Sequence, residues 1–388
     1  MIGMLRTVSA HVGRRVYAGD LAAVSALVRC YWHPAPPPPK RVPSLTVTDT
    51  LHRLRDVIDV PFVYESQAAP HLRRLRDAFN LPSLVTGGAT EYENMLNVGT
   101  WLGSRWDHGN DALPGGTQEM DVVDVIRQGL RGKRYWCEVA SKVAVQTFTA
   151  MGWVARLAST SSDGRAWEHS VADVWSNQFA KWFAIDTDFN VVYECDGVPL
   201  SAYELCHDGP ALQRSGRLYG RLLGAPKPSL PLIDLLPLYG YVSIDLRSDW
   251  YTRKLRRASP AGGDLASWWT ARRAFMRSLA PKVRVDARER FDWPVNIGWL
   301  RPRNVTPLRN VDAIRVLPLA YSPVFNRFQL SVDGGDWRDA DGEEVELRLS
   351  PGPHVLSARI ITANGGVGMI TEATVDHPSQ EAASVNHH

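Results

Sequence analysis

One cysteine, one histidine and one aspartate stand in an order suited to acyl transfer: Cys137, His169 at 32 residues further on, and Asp186 after another 17. Cys137 lies in Lys-Arg-Tyr-Trp-Cys-Glu-Val-Ala. It is followed by Val139, Val143, Ala144, Thr147 and Phe148 at three- and four-residue intervals, which predicts a helix with the cysteine on its first turn. Unpaired amides and the dipole at a helix start favour an anion there, the thiolate being the nucleophilic form of cysteine. His169 opens an alternating run, His-Ser-Val-Ala-Asp-Val-Trp, that reads as a strand, and Asp186 closes a second apolar run, Lys-Trp-Phe-Ala-Ile-Asp. Joined through Ser176 to Ala180, the two strands are expected to lie antiparallel, with His169 near the start of one beside Asp186 near the end of the other. The imidazole then takes the thiol proton, and the carboxylate fixes the ring and supports the imidazolium. Taken singly, each residue has a plainer reading: a buried thiol, a structural histidine and a turn-forming aspartate.

These residues resemble the transglutaminase-like branch of the papain-type cysteine enzymes, whose core reads Gly-x-Cys, Leu-Gly-x-x-Ala-Arg, His-x-Trp-x-Glu-Val and Trp-x-x-x-Asp-x-Thr. The corresponding pieces are Cys137, Met151-Gly152-Trp153-Val154-Ala155-Arg156, His169 to Val174, and Trp182-Phe183-Ala184-Ile185-Asp186-Thr187. The chain departs from that pattern at Tyr135, Val171 and Asp173. The resemblance implies an α+β fold, with helices packed on an antiparallel sheet in a papain-like cysteine enzyme core. It also implies a thioester on Cys137 and either hydrolysis, as a peptidase or amidase, or transfer to an amine in a biosynthetic pathway. The backbone N–H of Cys137 is the expected oxyanion donor. Trp136, Trp101 and Trp106 are further candidates for binding the oxyanion or the substrate. The alternative is a catalytically silent protein that keeps this fold for binding or scaffolding.

The 388 residues are 44% hydrophobic and 22% charged with a formal charge of +3, an ordinary globular composition that calls for no polyanion. The four cysteines (30, 137, 195, 206) match neither a disulfide framework nor a zinc motif, and no acidic calcium loop is present, so no metal or cofactor is expected. Without a long apolar run or a signal-like start, the expectation is a cytoplasmic protein with no membrane association.

In chain order, residues 1–84 read as a helical region crossed by a proline-rich spacer at 33–43, with a helix over Ala69 to Leu81. Residues 85–225 read as the catalytic core, approached by a helix after a Thr90/Glu93 capping box and another over Asp121 to Leu130. Residues 226–282 read as a linker and basic helix with Leu265, Trp268, Trp269, Phe275, Met276 and Leu279 on its packed face. Between 247 and 290, twelve basic residues face four acidic ones, a solvated surface or a site for an acidic partner; a nucleic-acid partner is not expected. From 283 to 376 short alternating runs separated by Asp-Gly, Ser-Pro-Gly and Asn-Gly turns predict an all-β sandwich, similar to the immunoglobulin-like or fibronectin-type modules of many bacterial enzymes. Residues 377–388 read as a flexible tail. The expected substrate is a peptide, a protein or a small amide or ester.

Overall fold

The computed structural model of the chain describes residues 46–49, 60–87, 89–113, 116, 120–229, 234–251, 267–272, 282–302, 313–340 and 343–377. The expected N-terminal helices, the proline spacer and the tail lie outside them. The described residues form a mixed α+β structure with several sheets and seven α-helices. No described helix is long and apolar enough to cross a membrane.

After β1 (Thr46–Asp49) come four helices: α1 (Pro70–Ala78), α2 (Glu91–Gly103), α3 (Val122–Gly129) and α4 (Cys137–Ala150). α1 stops three residues short of the expected Leu81 because Asn80 takes a left-handed conformation (φ 47°), which asparagine tolerates better than most residues. The start of α2 is fixed by the expected capping box: Thr90 accepts from the Glu93 amide while Glu93 accepts from the Thr90 amide. Thr90→Ala is therefore expected to cost about 1 kcal/mol of stability, read as a lowered denaturant midpoint at unchanged slope; an unchanged midpoint would contradict it. Asp121 caps α3 by accepting from the Asp124 amide, without a return bond.

α4 is buried from Val139 through Ala150, so it lacks the solvated face of an ordinary amphipathic helix. Its polar side chains have partners instead. Gln146 donates to the Ser248 carbonyl and meets His71, while Thr147 and Thr149 donate to carbonyls one turn back.

Behind α4 runs a six-stranded sheet in the order β10-β9-β8-β2-β3-β4, formed by β2 (Ala155–Ser161), β3 (His169–Ser176), β4 (Lys181–Ile185), β8 (Tyr241–Asp245), β9 (Ser267–Ala271) and β10 (Lys282–Arg284). Both faces are covered, so alternate residues serve two apolar clusters. Leu157, Ala172, Val174, Phe183 and Ile185 pack with the helices, whereas Ala158, Val171, Trp175, Trp182 and Ala184 pack on the far side. Between β4 and β8 lie β5 (Val191–Cys195), β6 (Val198–Pro199) and β7 (Leu218–Leu222), a small sheet of order β6-β5-β7, with the short helices α5 (Ala202–His207) and α6 (Gly209–Arg214).

The segment expected as linker and basic helix thus contributes strands to the main sheet. Trp268 and Trp269, expected on one helix face, alternate in β9: Trp268 is buried in the far cluster, while Trp269 lies under the Arg284 guanidinium. The run Ser-Trp-Trp-Thr-Ala is aromatic and β-branched, and pairing with β8 decides its state.

Following α7 (Arg288–Phe291) come β11 (Ile297–Pro302), β12 (Ala313–Tyr321), β13 (Phe325–Val332), β14 (Arg338–Ala340), β15 (Val345–Arg348), β16 (Gly352–Thr362) and β17 (Thr371–His377). They make a three-stranded sheet, β11-β12-β15, and a five-stranded one, β1-β17-β16-β13-β14. Leu300, Ile314 and Val316 of the first share an apolar cluster with Phe328, Leu330, Leu356, Ile360 and Val375 of the second. The strand at the far N-terminal side of this unit, β1, pairs with β17 in an antiparallel register.

Candidate active site

Cys137 is the first residue of α4, and its side chain is half-buried. Trp136 holds the N-cap position and supplies no side-chain cap, so the first amides of the helix are left to other acceptors. An uncapped helix start beside a sulfur leaves backbone N–H groups free to donate there.

His169 opens β3 and Asp186 follows the last residue of β4. The hairpin register pairs Ala172 with Ile185. Carried one step further, it sets position 186 beside 171, at the end of the hairpin two places along β3 from His169. His169 Nε2 lies 2.7 Å from Asp186 Oδ2, and both side chains are almost fully buried. Asp186 is held in turn, since its Oδ1 accepts from the amides of Asp188 and Phe189. Thr187 ties the same loop to α4 through the Ala140 carbonyl, and the Phe189 ring stands edge-on to the imidazole. With Nε2 committed to Asp186, Nδ1 remains for Cys137, whose sulfur lies within 4.8 Å of the histidine's ligand atom.

Burial alone disfavours the imidazolium of His169. The Asp186 carboxylate and then Cys137 outweigh it and raise the histidine to about 10. A group raised on folding adds stability that is complete below its unfolded value, here 6.5, and fades as the pH climbs through about 10. Unfolding free energy should therefore decline between pH 7 and pH 10, and less so in Asp186→Ala; parallel curves for the two proteins would refute this linkage.

A second carboxylate stands close by. Ligand atoms of Cys137, His169 and Asp188 all lie within 4.8 Å of one another. Asp188 Oδ2 accepts from His108 Nδ1 at 2.8 Å, and Lys227 Nζ lies 3.6 Å from its Oδ1. Burial pushes the Asp188 carboxyl up, assisted by Asp186 and opposed by Lys227, His108 and His169. Burial likewise pushes Lys227 down, against the pull of Asp188, Asp186 and Asp107. His108, Asp188 and Lys227 were not expected in the site. Asp188 was visible two places after Asp186, but nothing local marked His108 or Lys227, which only the fold brings there.

No family model matches the chain. A search of curated proteins finds no match either. The chemistry is accordingly read from the geometry.

A cavity of about 690 Å³ opens at the cysteine, lined among others by Trp136, Cys137, His169, His108, Trp167 and Ser170. Trp136 thus lines the cavity at the cysteine, whereas Trp101 and Trp106 lie outside that lining. Trp101 packs edge-on to Phe79 and carries the Arg105 guanidinium. Trp106 packs on Tyr135, and its indole N–H is buried without a hydrogen-bond partner.

Two of the resembling motif positions have structural work. Arg156 is fully buried and pairs with Asp173 at 2.8 Å and Asp292 at 2.7 Å, and it donates to the Phe291 carbonyl. Its guanidinium lies 4.1 Å from the Trp182 ring centre and 4.6 Å from that of Trp293. This ties the sheet to the segment that leads into β11. Elsewhere, described basic residues of the 247–290 stretch have local partners: Arg247 with Asp249, Arg284 with Asp286 and Arg288 with Glu204.

Proposed function

We propose that the protein is a cysteine-dependent acyltransferase or hydrolase of the transglutaminase-like kind, acting on an amide or ester carbonyl through Cys137. The observation that carries this reading is the His169 ring, 2.7 Å from the Asp186 carboxylate and with a ligand atom within 4.8 Å of the Cys137 sulfur. The resemblance of the four flanking motifs supports it, as does the cavity that opens at the sulfur.

In this mechanism the Cys137 sulfur attacks the carbonyl carbon while the uncapped amides at the start of α4 take the oxyanion. His169 gives its proton to the departing amine or alcohol as the carbon–nitrogen or carbon–oxygen bond breaks, leaving a thioester. Water or an amine then attacks the thioester, His169 removes its proton, and the thiolate returns. Asp186 keeps the ring in one orientation and supports its charge throughout. Hydrolysis is the favoured outcome because water competes with every acceptor. The substrate class is a peptide, a protein side-chain amide or a small ester, entering between Trp136 and Trp167. The C-terminal strands fit a β-sandwich module that packs or binds.

The test is intact-mass analysis after brief incubation with p-nitrophenyl acetate and with a glutamine-containing peptide library, followed by mapping of any adduct. An acyl group on Cys137, absent in His169→Ala, supports the reading. Acylation no faster at Cys137 than at Cys195, together with no peptide adduct, would favour a silent scaffold.

A further inference from the structure

The arrangement around Cys137 holds one carboxylate more than acyl transfer requires. Asp186 already occupies the far nitrogen of His169. Asp188 is nevertheless buried within 4.8 Å of both the cysteine and histidine ligand atoms, and its Oδ1 has no hydrogen-bond partner, the Lys227 ammonium standing 3.6 Å away. The ammonium balances the charge of Asp188 but stands beyond hydrogen-bond distance, so that oxygen keeps lone pairs free for a metal ion.

The donor set selects the cation. A thiolate, an imidazole and a carboxylate together suit zinc(II), whereas magnesium and calcium favour all-oxygen shells. Zinc bonds of about 2.0–2.3 Å space tetrahedral ligands by roughly 3.5 Å, so the widest pair here closes by about an ångström, within reach of side-chain rotation. The outer contacts are those of a metal site: Asp186 on the second nitrogen of His169, and His108 and Lys227 on Asp188. The cavity leaves the fourth position open to water.

We propose that Cys137, His169 and Asp188 form a zinc(II) site that competes with substrate for the thiolate. Binding joins the sulfur, the free His169 nitrogen and an Asp188 oxygen to one ion, and it releases the proton that the Cys137–His169 pair shares. Only the consequence, reversible inhibition, rests on the acyl-transfer reading; the site itself needs no turnover.

The experiment measures iodoacetamide modification of Cys137 in the full chain against free zinc held by a metal buffer, with magnesium and calcium as controls. Micromolar zinc should slow modification at least tenfold, and magnesium and calcium should not. Asp188→Asn should weaken that protection about tenfold or more. Cobalt(II) supplies a readout on the unaltered protein: a thiolate-to-cobalt charge-transfer band in the near ultraviolet, lost in Cys137→Ser. Where Asp188→Asn alters the thermal melt, that spectrum, with its displacement by zinc, decides. Unslowed modification at millimolar zinc, equal protection in a well-folded Asp188→Asn, or cobalt binding without the charge-transfer band would overturn the proposal. Zinc protection in a protein that forms no acyl adduct would leave the metal site standing and remove the enzyme; an adduct without zinc protection would do the reverse.

Discussion

His169→Ala is expected to lower acyl transfer by about ten-thousand-fold or more, with substrate binding little changed. The imidazole has two tasks that no neighbour can assume: it stabilises the thiolate, and it returns a proton to the leaving group. His108 is the other imidazole lining the cavity, but its Nδ1 is committed to Asp188. Asp186 acts through His169, so its replacements should be milder and should differ from each other. Asp186→Ala removes both the anion and the anchor of the loop, and about a hundredfold to ten-thousand-fold loss is expected. Asp186→Asn keeps an oxygen that can accept from Nε2 but drops the charge, so it should retain more activity while the histidine loses most of its raised basicity. Steady-state kinetics with the three variants and a pH profile of each give the check. Equal activity in His169→Ala and the parent protein would remove the general acid and base from the mechanism.

Arg156→Ala is expected to destabilise the fold by about 3–5 kcal/mol. The side chain is completely buried, and deleting it leaves Asp173 and Asp292 without their cation in a site lined by Trp182 and Trp293. Burial already pushes the Asp292 carboxyl up, with Asp173 adding to it and Arg156 and Ser201 holding it back, so without the guanidinium it must rise further. The stacked tryptophans also lose a cation–π partner. Replacing Asp173 by leucine in the same protein should recover part of the loss, since removing both members of a buried pair costs less than removing one. Denaturant unfolding followed by tryptophan fluorescence measures this. A loss below about 1 kcal/mol would show that water or a neighbouring group reaches the carboxylates.

What the sequence made legible was local. Thr90 and Glu93 stand three apart, so their capping box could be read directly, and α2 begins where they place it. His169 and Asp186 belong to adjoining strands, and a short connection with a fixed antiparallel register is enough to bring them to the same end of the hairpin. Trp268 and Trp269 were misread because a window of mixed apolar residues fits a helix or a strand equally well until a pairing partner is known; β8 is that partner. The candidate site was half visible for the same reason. Asp188, His108 and Lys227 converge from three parts of the chain, and the contacts that join them span 80 residues in one case and 39 in the other. Nothing within a local window encodes such a meeting. α2 reaches the aspartate loop so closely that a side chain on Gly99 would strike Ile185 and one on Gly103 would strike Asn190. That closeness helps set the loop, and it too is a property of the fold.

The central claim is that the Cys137 sulfur is held as a nucleophile by the His169 imidazolium, and the rate of Cys137 alkylation against pH addresses it most directly. Peptide mapping after iodoacetamide treatment at pH 6 is predicted to show Cys137 modified roughly tenfold to a hundredfold faster than an ordinary thiol. His169→Ala should abolish that advantage. If the Cys137 rate instead climbs about tenfold per pH unit from 6 to 8, as for a free cysteine, and His169→Ala leaves it unchanged, the sulfur is not paired with the imidazole and the catalytic account is wrong.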